Sequence, residues 1–183
     1  MKTKILTSLI ALAFITGSIF GQDSNFKTDF RQKYKWGFGI GAGFTTGYGL
    51  SVSYHPKKDG VQLNFFPYLD NYGKKQLICA GLTYMHDFYN NPYINTYLYV
   101  ASSLTYNKNI GSINFFPFSN YYKDDDENSE HTAFNSGIGV GFEANTQKRV
   151  TVNLMLGYAQ YNSFKQLFLT GEISLHYKFG KGY

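Results

Sequence analysis

Four groups of residues have the types and spacing that chemistry would need. Ser129, Glu130 and His131 stand together, and Glu172, Ser174 and His176 recur two apart. A serine, a histidine and a carboxylate can make an acyl-transfer centre if the imidazole reaches the hydroxyl and the carboxylate orients the imidazole. Asp124, Asp125, Asp126 and Glu127, with Glu130 beyond, offer carboxylate oxygens suited to a hard cation, but without the glycine and spacing of an EF-hand loop. Glu143, Glu172, His176 and Lys178 carry opposite charges inside otherwise apolar stretches, where a charge is costly unless paired. What each group can do depends on the elements that hold it.

Those elements read as strands. Of 183 residues, 17 are Tyr, 17 Phe and 19 Gly, and only 16% are charged, against about 25% in ordinary domains. Large apolar residues alternate with small or polar ones, and turn signals divide the pattern into eight segments. In 34–44, Trp36, Phe38, Ile40 and Phe44 alternate with Gly37, Gly39, Gly41 and Gly43. The later segments are 48–54, one around Val61, Leu63 and Phe65, 78–84, 93–106, 134–143, 150–158 and 167–179. The sole cysteine, Cys79, excludes a disulfide framework and a cysteine zinc site. No metal or other cofactor is expected.

Residues 1–21 read as a cleaved signal peptide: Lys2 and Lys4, an apolar stretch from Ile5 to Ile15, then Gly17, Ser18 and Gly21 before Gln22. With Lys2 and Lys4 set aside, 15 Lys and Arg face 12 Asp and Glu. There is no basic run longer than two, so nucleic acid is not an expected partner. Past residue 22 no apolar run is long enough for a spanning helix, and a membrane protein without one must be a closed barrel. The expectation is an all-β, eight-stranded antiparallel up-and-down transmembrane barrel over 34–179. Residues 22–33 would precede it in the periplasm, a long outer loop would run over about 107–132, and a tail over 180–183. The loop near Thr45–Gly47 is tight for an outer loop.

The apolar face is expected to point outward to lipid. Runs of Gly have no purpose facing solvent, whereas a narrow lumen needs them beside bulky groups, since an eight-stranded barrel is filled by its own side chains. With strands one and eight as neighbours, Gly37–Gly43 would make room for Glu172, His176 and Lys178. Aromatics gather at strand ends as interfacial girdles do: Trp36, Tyr54, Tyr93, Phe142 and Tyr177 at one end, Phe44, Tyr48, Phe65, Tyr106 and Tyr158 at the other. A secreted soluble barrel holding an apolar ligand is the alternative.

Leu175, Tyr177 and Phe179, apolar at alternate positions and ending in Phe, resemble the C-terminal signal of outer-membrane barrels. Here a four-residue tail, Gly180–Tyr183, follows that Phe. The Gly-rich opening, Thr46–Ser51 and Thr170–Phe179 resemble small outer-membrane barrel domains of Bacteroidetes type, of the OmpX and OmpA kind. The resemblance implies a Gram-negative outer membrane, outer-membrane lipid around the chain, and the barrel-assembly machinery as partner during biogenesis. It is silent about activity.

On that frame Ser174 and His176 point into a packed lumen, away from acyl chains, and His131 falls in a mobile loop. No catalytic residue is therefore assigned, and a lipid-modifying enzyme is the alternative. Glu143, Glu172, His176 and Lys178 read as an internal polar network rather than an ion path. The acidic run reads as solvated outer-loop charge, and the 107–132 loop as the route to an extracellular partner. Asn64-Phe65-Phe66-Pro67-Tyr68 recurs as Asn114-Phe115-Phe116-Pro117-Phe118, read as two aromatic exits at the outer rim.

Overall fold

The computed structural model describes residues 34–70, 75–91, 93–108, 130–146, 149–162, 164 and 166–181. They form one closed sheet in sequence order: β1 (Tyr34–Ala42), β2 (Gly49–Tyr54), β3 (Asp59–Asp70), β4 (Lys75–Asn90), β5 (Ile94–Lys108), β6 (Glu130–Asn145), β7 (Val150–Tyr161) and β8 (Gln166–Lys181). Every neighbouring pair is antiparallel, and β1 closes on β8 from Tyr34↔Lys181 to Ala42↔Ile173. The expected eight-stranded barrel is the observed fold.

Period-two alternation decides which side chains go where, because successive residues of a strand point to opposite faces. The bulky apolar set is outside: Ile40 is 59% exposed, Ile138 61% and Leu156 51%. The inward set is small or polar, and Gln62, Asn64, Asn95, Asn153, Glu143, Glu172, His176 and Lys178 are all buried. A modest apolar cluster of Met85, Tyr97, Tyr99, Ala101 and Met155 fills the middle of the lumen.

The glycines of β1 let this crowded interior close. A side chain on Gly39 would run into the carbonyl of Leu175 on β8, and one on Gly37 would lie 3.3 Å from both His176 Cβ and Lys178 Cδ. Both termini of the described chain lie at one end with the short turns after β2, β4 and β6; the connections after β1, β3, β5 and β7 lie at the other.

Two elements differ from the sequence reading. β1 ends at Ala42 rather than Phe44, because the chain then turns into the lumen instead of continuing up the wall. His131 stands in β6, opposite Asn107 of β5, and not in a loop. Of the repeated aromatic motif, 64–68 lies in the outer half of β3, and 114–118 lies outside the described residues.

Candidate functional site

The lumen holds the charged residues in layers. Nearest the termini, Lys178 of β8 donates from Nζ to Glu143 Oε2 of β6 at 2.9 Å, and Asn95 Nδ2 of β5 donates to Glu143 Oε1 at 3.2 Å. Lys178 is 1% exposed and Glu143 fully buried, so their charges are compensated inside the lumen rather than by water.

One layer up, Ser51 Oγ of β2 and His176 Nε2 lie 2.7 Å apart, and Asn153 Nδ2 of β7 is 3.2 Å from His176 Nδ1 and 3.3 Å from Ser174 Oγ. The serine, histidine and amide have the connectivity of a nucleophilic triad, with the Tyr97 hydroxyl 3.4 Å from Asn153 Oδ1. The Ser51, Ser174 and Tyr97 hydroxyls can each donate or accept, so the same chain is satisfied with the imidazole proton on either ring nitrogen. All three side chains are buried in the barrel's interior. The arrangement is a satisfied polar network.

The outermost layer was not foreseen. The β1–β2 turn, 43–48, folds inward, and Thr45, Thr46 and Gly47 are buried. Glu172 receives it: Thr45 N donates to Oε1 at 3.2 Å, Thr46 N to Oε2 at 3.0 Å, and Thr170 Oγ1 to Oε1 at 3.2 Å, with the Thr45 hydroxyl donating as well. Elsewhere Ser103 Oγ and Asn135 Nδ2 donate to the carbonyl of Phe44 at 2.6 and 3.1 Å, and Asn64 Nδ2 donates to that of Gly47 at 3.1 Å. The turn is thereby anchored to β3, β5, β6 and β8. Gly81 permits the approach, since a side chain there would collide with the carbonyl of Thr46, and Gly47 adopts φ +77° at the bend. Glu172 therefore answers backbone donors of the turn, while Lys178 answers Glu143.

Of the girdle residues, Trp36 and Tyr54 stack across β1 and β2 with centroids 4.5 Å apart, and Tyr93, Phe142 and Tyr177 are exposed at the same end. Phe65 and Tyr158 are exposed toward the other end, and Tyr106 is half-buried. Phe44 and Tyr48 depart from that set. They belong to the inward turn, half-buried, with Phe44 edge-on to Tyr161 and Tyr48 tilted against Phe66. Leu175, Tyr177 and Phe179 face outward beside Ile40, Phe38 and Trp36 of β1. Glu130 ends β6 in an ion pair with Lys108. Asp124, Asp125, Asp126 and Glu127, and residues 1–33, lie outside the described residues.

Ser51, Asn153, Asn95 and Tyr97 all occupy the inward parity of their strands, and that parity was the only signal the sequence carried for them. Nothing local marks Thr45 and Thr46 as lumen residues.

Among solved structures, the N-terminal β-barrel domain of Pseudomonas aeruginosa OprF is similar over 81% of this chain and 98% of that domain, at 14% identity and a TM-score of 0.53. Ail, the attachment invasion locus protein of Yersinia pestis, aligns over 80% of this chain and 97% of its own at 11% identity and a TM-score of 0.44. At such identity the likeness to the OprF domain is one of fold. No family model and no curated protein matches the chain.

Proposed function

We propose that the protein is an integral outer-membrane barrel with a structural or surface-interaction role and no open pore. The observation that carries this reading is an inside-out distribution: an apolar outer belt around a polar interior filled by its own side chains. Exposed apolar patches beyond a few hundred Å² are rare on proteins surrounded by water. Here the belt includes Phe38, Ile40, Leu50, Leu63, Leu82, Leu98, Ile138, Leu154 and Ile173 on successive strands.

The belt also has membrane dimensions. Strands of 15 or 16 residues exceed the roughly 9–11 needed to cross a bilayer, and polar residues mark the surplus. Asp59 and His86, hydrogen-bonded to each other, stand in the outward series near the termini; Gln76, Lys108 and Glu130 end it at the far side. Among the described residues, the Met85–Tyr97–Tyr99–Met155 cluster and the inward turn occupy the lumen, which supports a barrel without an open pore.

On this reading residues 1–21 export the chain and are removed. Leu175, Tyr177 and Phe179 are read by the barrel-assembly machinery, and an extracellular partner docks through the connection between β5 and β6, residues 109–129. No cofactor, nucleic acid or catalytic step is invoked; the burial of Ser51, His176 and Asn153 inside the barrel, away from any substrate outside it, supports leaving out the last of these. Cell fractionation followed by electrophoresis of unboiled and boiled samples tests the proposal. A heat-modifiable band in the outer-membrane fraction is expected; a soluble periplasmic product without a shift would overturn it.

A further inference from the structure

The turn between β6 and β7 ends on a cation in a costly conformation. Arg149 has φ +69°, the left-handed region that glycine or asparagine enters most easily. The bend brings its carbonyl to Lys178 N of β8 at 2.7 Å and lays its guanidinium over the Tyr34 ring of β1, 5.0 Å from the centroid. Hydrogen bonding to Tyr177 and to Tyr34 favours its charged form. Both tyrosines lie on the outward parity of their strands, so the exposed guanidinium stands on the outer wall where β7, β8 and β1 meet, at the end that holds the termini. Among the described residues it has no carboxylate partner, whereas Lys108 has Glu130 and Lys178 has Glu143.

The same three strands hold an apolar recess beside it. Phe38, Ile40, Val150, Leu175 and Tyr177 line a space of about 320 Å³, with the Gly39↔His176 pair at its floor. Val150 follows Arg149 in the chain and pairs with Tyr177, so the recess begins at the level of the guanidinium. It reaches Ile40 and Leu175, two residues further into the wall, a run of ~7 Å. Phe38, Ile40, Leu175 and Tyr177 are all exposed on the outward face.

A cation at the rim of an apolar recess is complementary to an amphiphile with an anionic head. Basic sites at a membrane surface take anionic lipid headgroups, and a guanidinium offers a phosphate paired donors. One cation without a counter-charge matches a head of net charge minus one, a phosphodiester with no amine. The stacked, hydrogen-bonded side chain is already ordered, so binding costs it little further freedom.

We propose that Arg149 and this recess bind an anionic phospholipid of the periplasmic leaflet, its phosphate on the guanidinium and the start of one acyl chain between Phe38, Ile40, Leu175 and Tyr177. The inference rests on the outer-membrane reading and names the lipid that this side of the barrel selects. It accounts for an arginine where the backbone would favour glycine.

The test reads lipid choice beside the site. Phe38→Trp in a Trp36→Phe background places the only tryptophan at the recess, and Leu98→Trp in the same background, on β5 across the barrel, reports ordinary surrounding lipid. Each barrel is refolded into mixed phosphatidylglycerol and phosphatidylcholine vesicles with one lipid or the other brominated on its acyl chains, and checked for a heat-modifiable band. Quenching of Phe38→Trp should favour phosphatidylglycerol by about fivefold, the selectivity of one basic residue at an anionic surface, with no preference at Leu98→Trp. Adding Arg149→Gln should abolish the preference, as should Arg149→Gly, which suits φ +69° and guards against a folding effect. No preference at Phe38→Trp, or one that survives both substitutions, would overturn the site and leave the membrane reading standing, provided that Leu98→Trp is quenched. Phe38→Trp reached by neither lipid while Leu98→Trp is quenched would put protein over this face and refute the site. A preference abolished by aqueous glycerol phosphate at matched ionic strength would make it a free-anion site and refute the acyl recess. Leu98→Trp quenched by neither lipid would overturn both the site and the membrane reading.

Discussion

Removing the carboxylate opposite Lys178 isolates the most consequential interaction of the interior. Glu143→Gln keeps shape and volume but deprives Lys178, 1% exposed, of the carboxylate that its Nζ meets at 2.9 Å. Asn95 loses its charged acceptor in the same step, having donated to Glu143 Oε1 at 3.2 Å. Breaking one side of a buried pair costs about 3–5 kcal/mol, because the remaining charge keeps its desolvation penalty without compensation. Lys178→Met should cost about the same for the converse reason. The double variant Glu143→Met, Lys178→Met removes both charges and should lie near wild type or above it, since apolar replacement of a whole buried pair is often neutral or stabilising. With Glu143→Met, expected to cost as much as Glu143→Gln, as the matching single variant, the double-mutant cycle should give a coupling of about 6–10 kcal/mol, well above the roughly 0.5–3 usual between contacting residues. Urea unfolding of the barrel in lipid vesicles, followed by Trp36 emission and by loss of the heat-modifiable band, provides the four stabilities. Single variants within about 1 kcal/mol of wild type, or a coupling near zero, would refute the view that the pair is sealed from water in the folded barrel.

Three further outcomes follow from the same coordinates. Glu172→Gln weakens the charge-assisted bonds from Thr45 N and Thr46 N, so amide exchange at those two residues should speed up while the strand amides stay protected; the cost should be about 1.5–3 kcal/mol by urea titration. Gly81→Val drives a side chain into the carbonyl of Thr46 and should expel the turn, read as new protease sensitivity in 43–48, at a cost of about 1–3 kcal/mol. Leu82→Arg, on an outward position that is 50% exposed, should destabilise the barrel in bilayers by about 2–4 kcal/mol, whereas a barrel surrounded by water would tolerate it.

The face each residue adopts was legible in the sequence. Period-two alternation is a local property, and a strand has only two faces, so Lys178, His176 and Glu172 fall on the side opposite Tyr177, Leu175 and Ile173 wherever β8 is placed. The glycines of β1 were equally legible as space beside bulky neighbours, because a closed barrel of this size must make its last strand adjacent to its first. Strand number and antiparallel order came from turn spacing, which is also local.

Partnership across the lumen was not legible. Alternation says that Glu143 and Glu172 point inward, but which of them meets Lys178 depends on strand tilt and stagger around the closed sheet, a sum over every register in the barrel. The register brings Lys178 to Glu143 and leaves Glu172 beneath the inward turn, bonded to Thr45 and Thr46. Phe44 continued the apolar period of β1, and only the tertiary structure turned it aside, because Glu172, Ser103, Asn135 and Asn64 bond the backbone of 44–47 inside the barrel. The sequence by itself determined a barrel and its two faces; closure decided which inward groups meet and that the 43–48 turn folds inward, since those contacts join residues far apart in the chain.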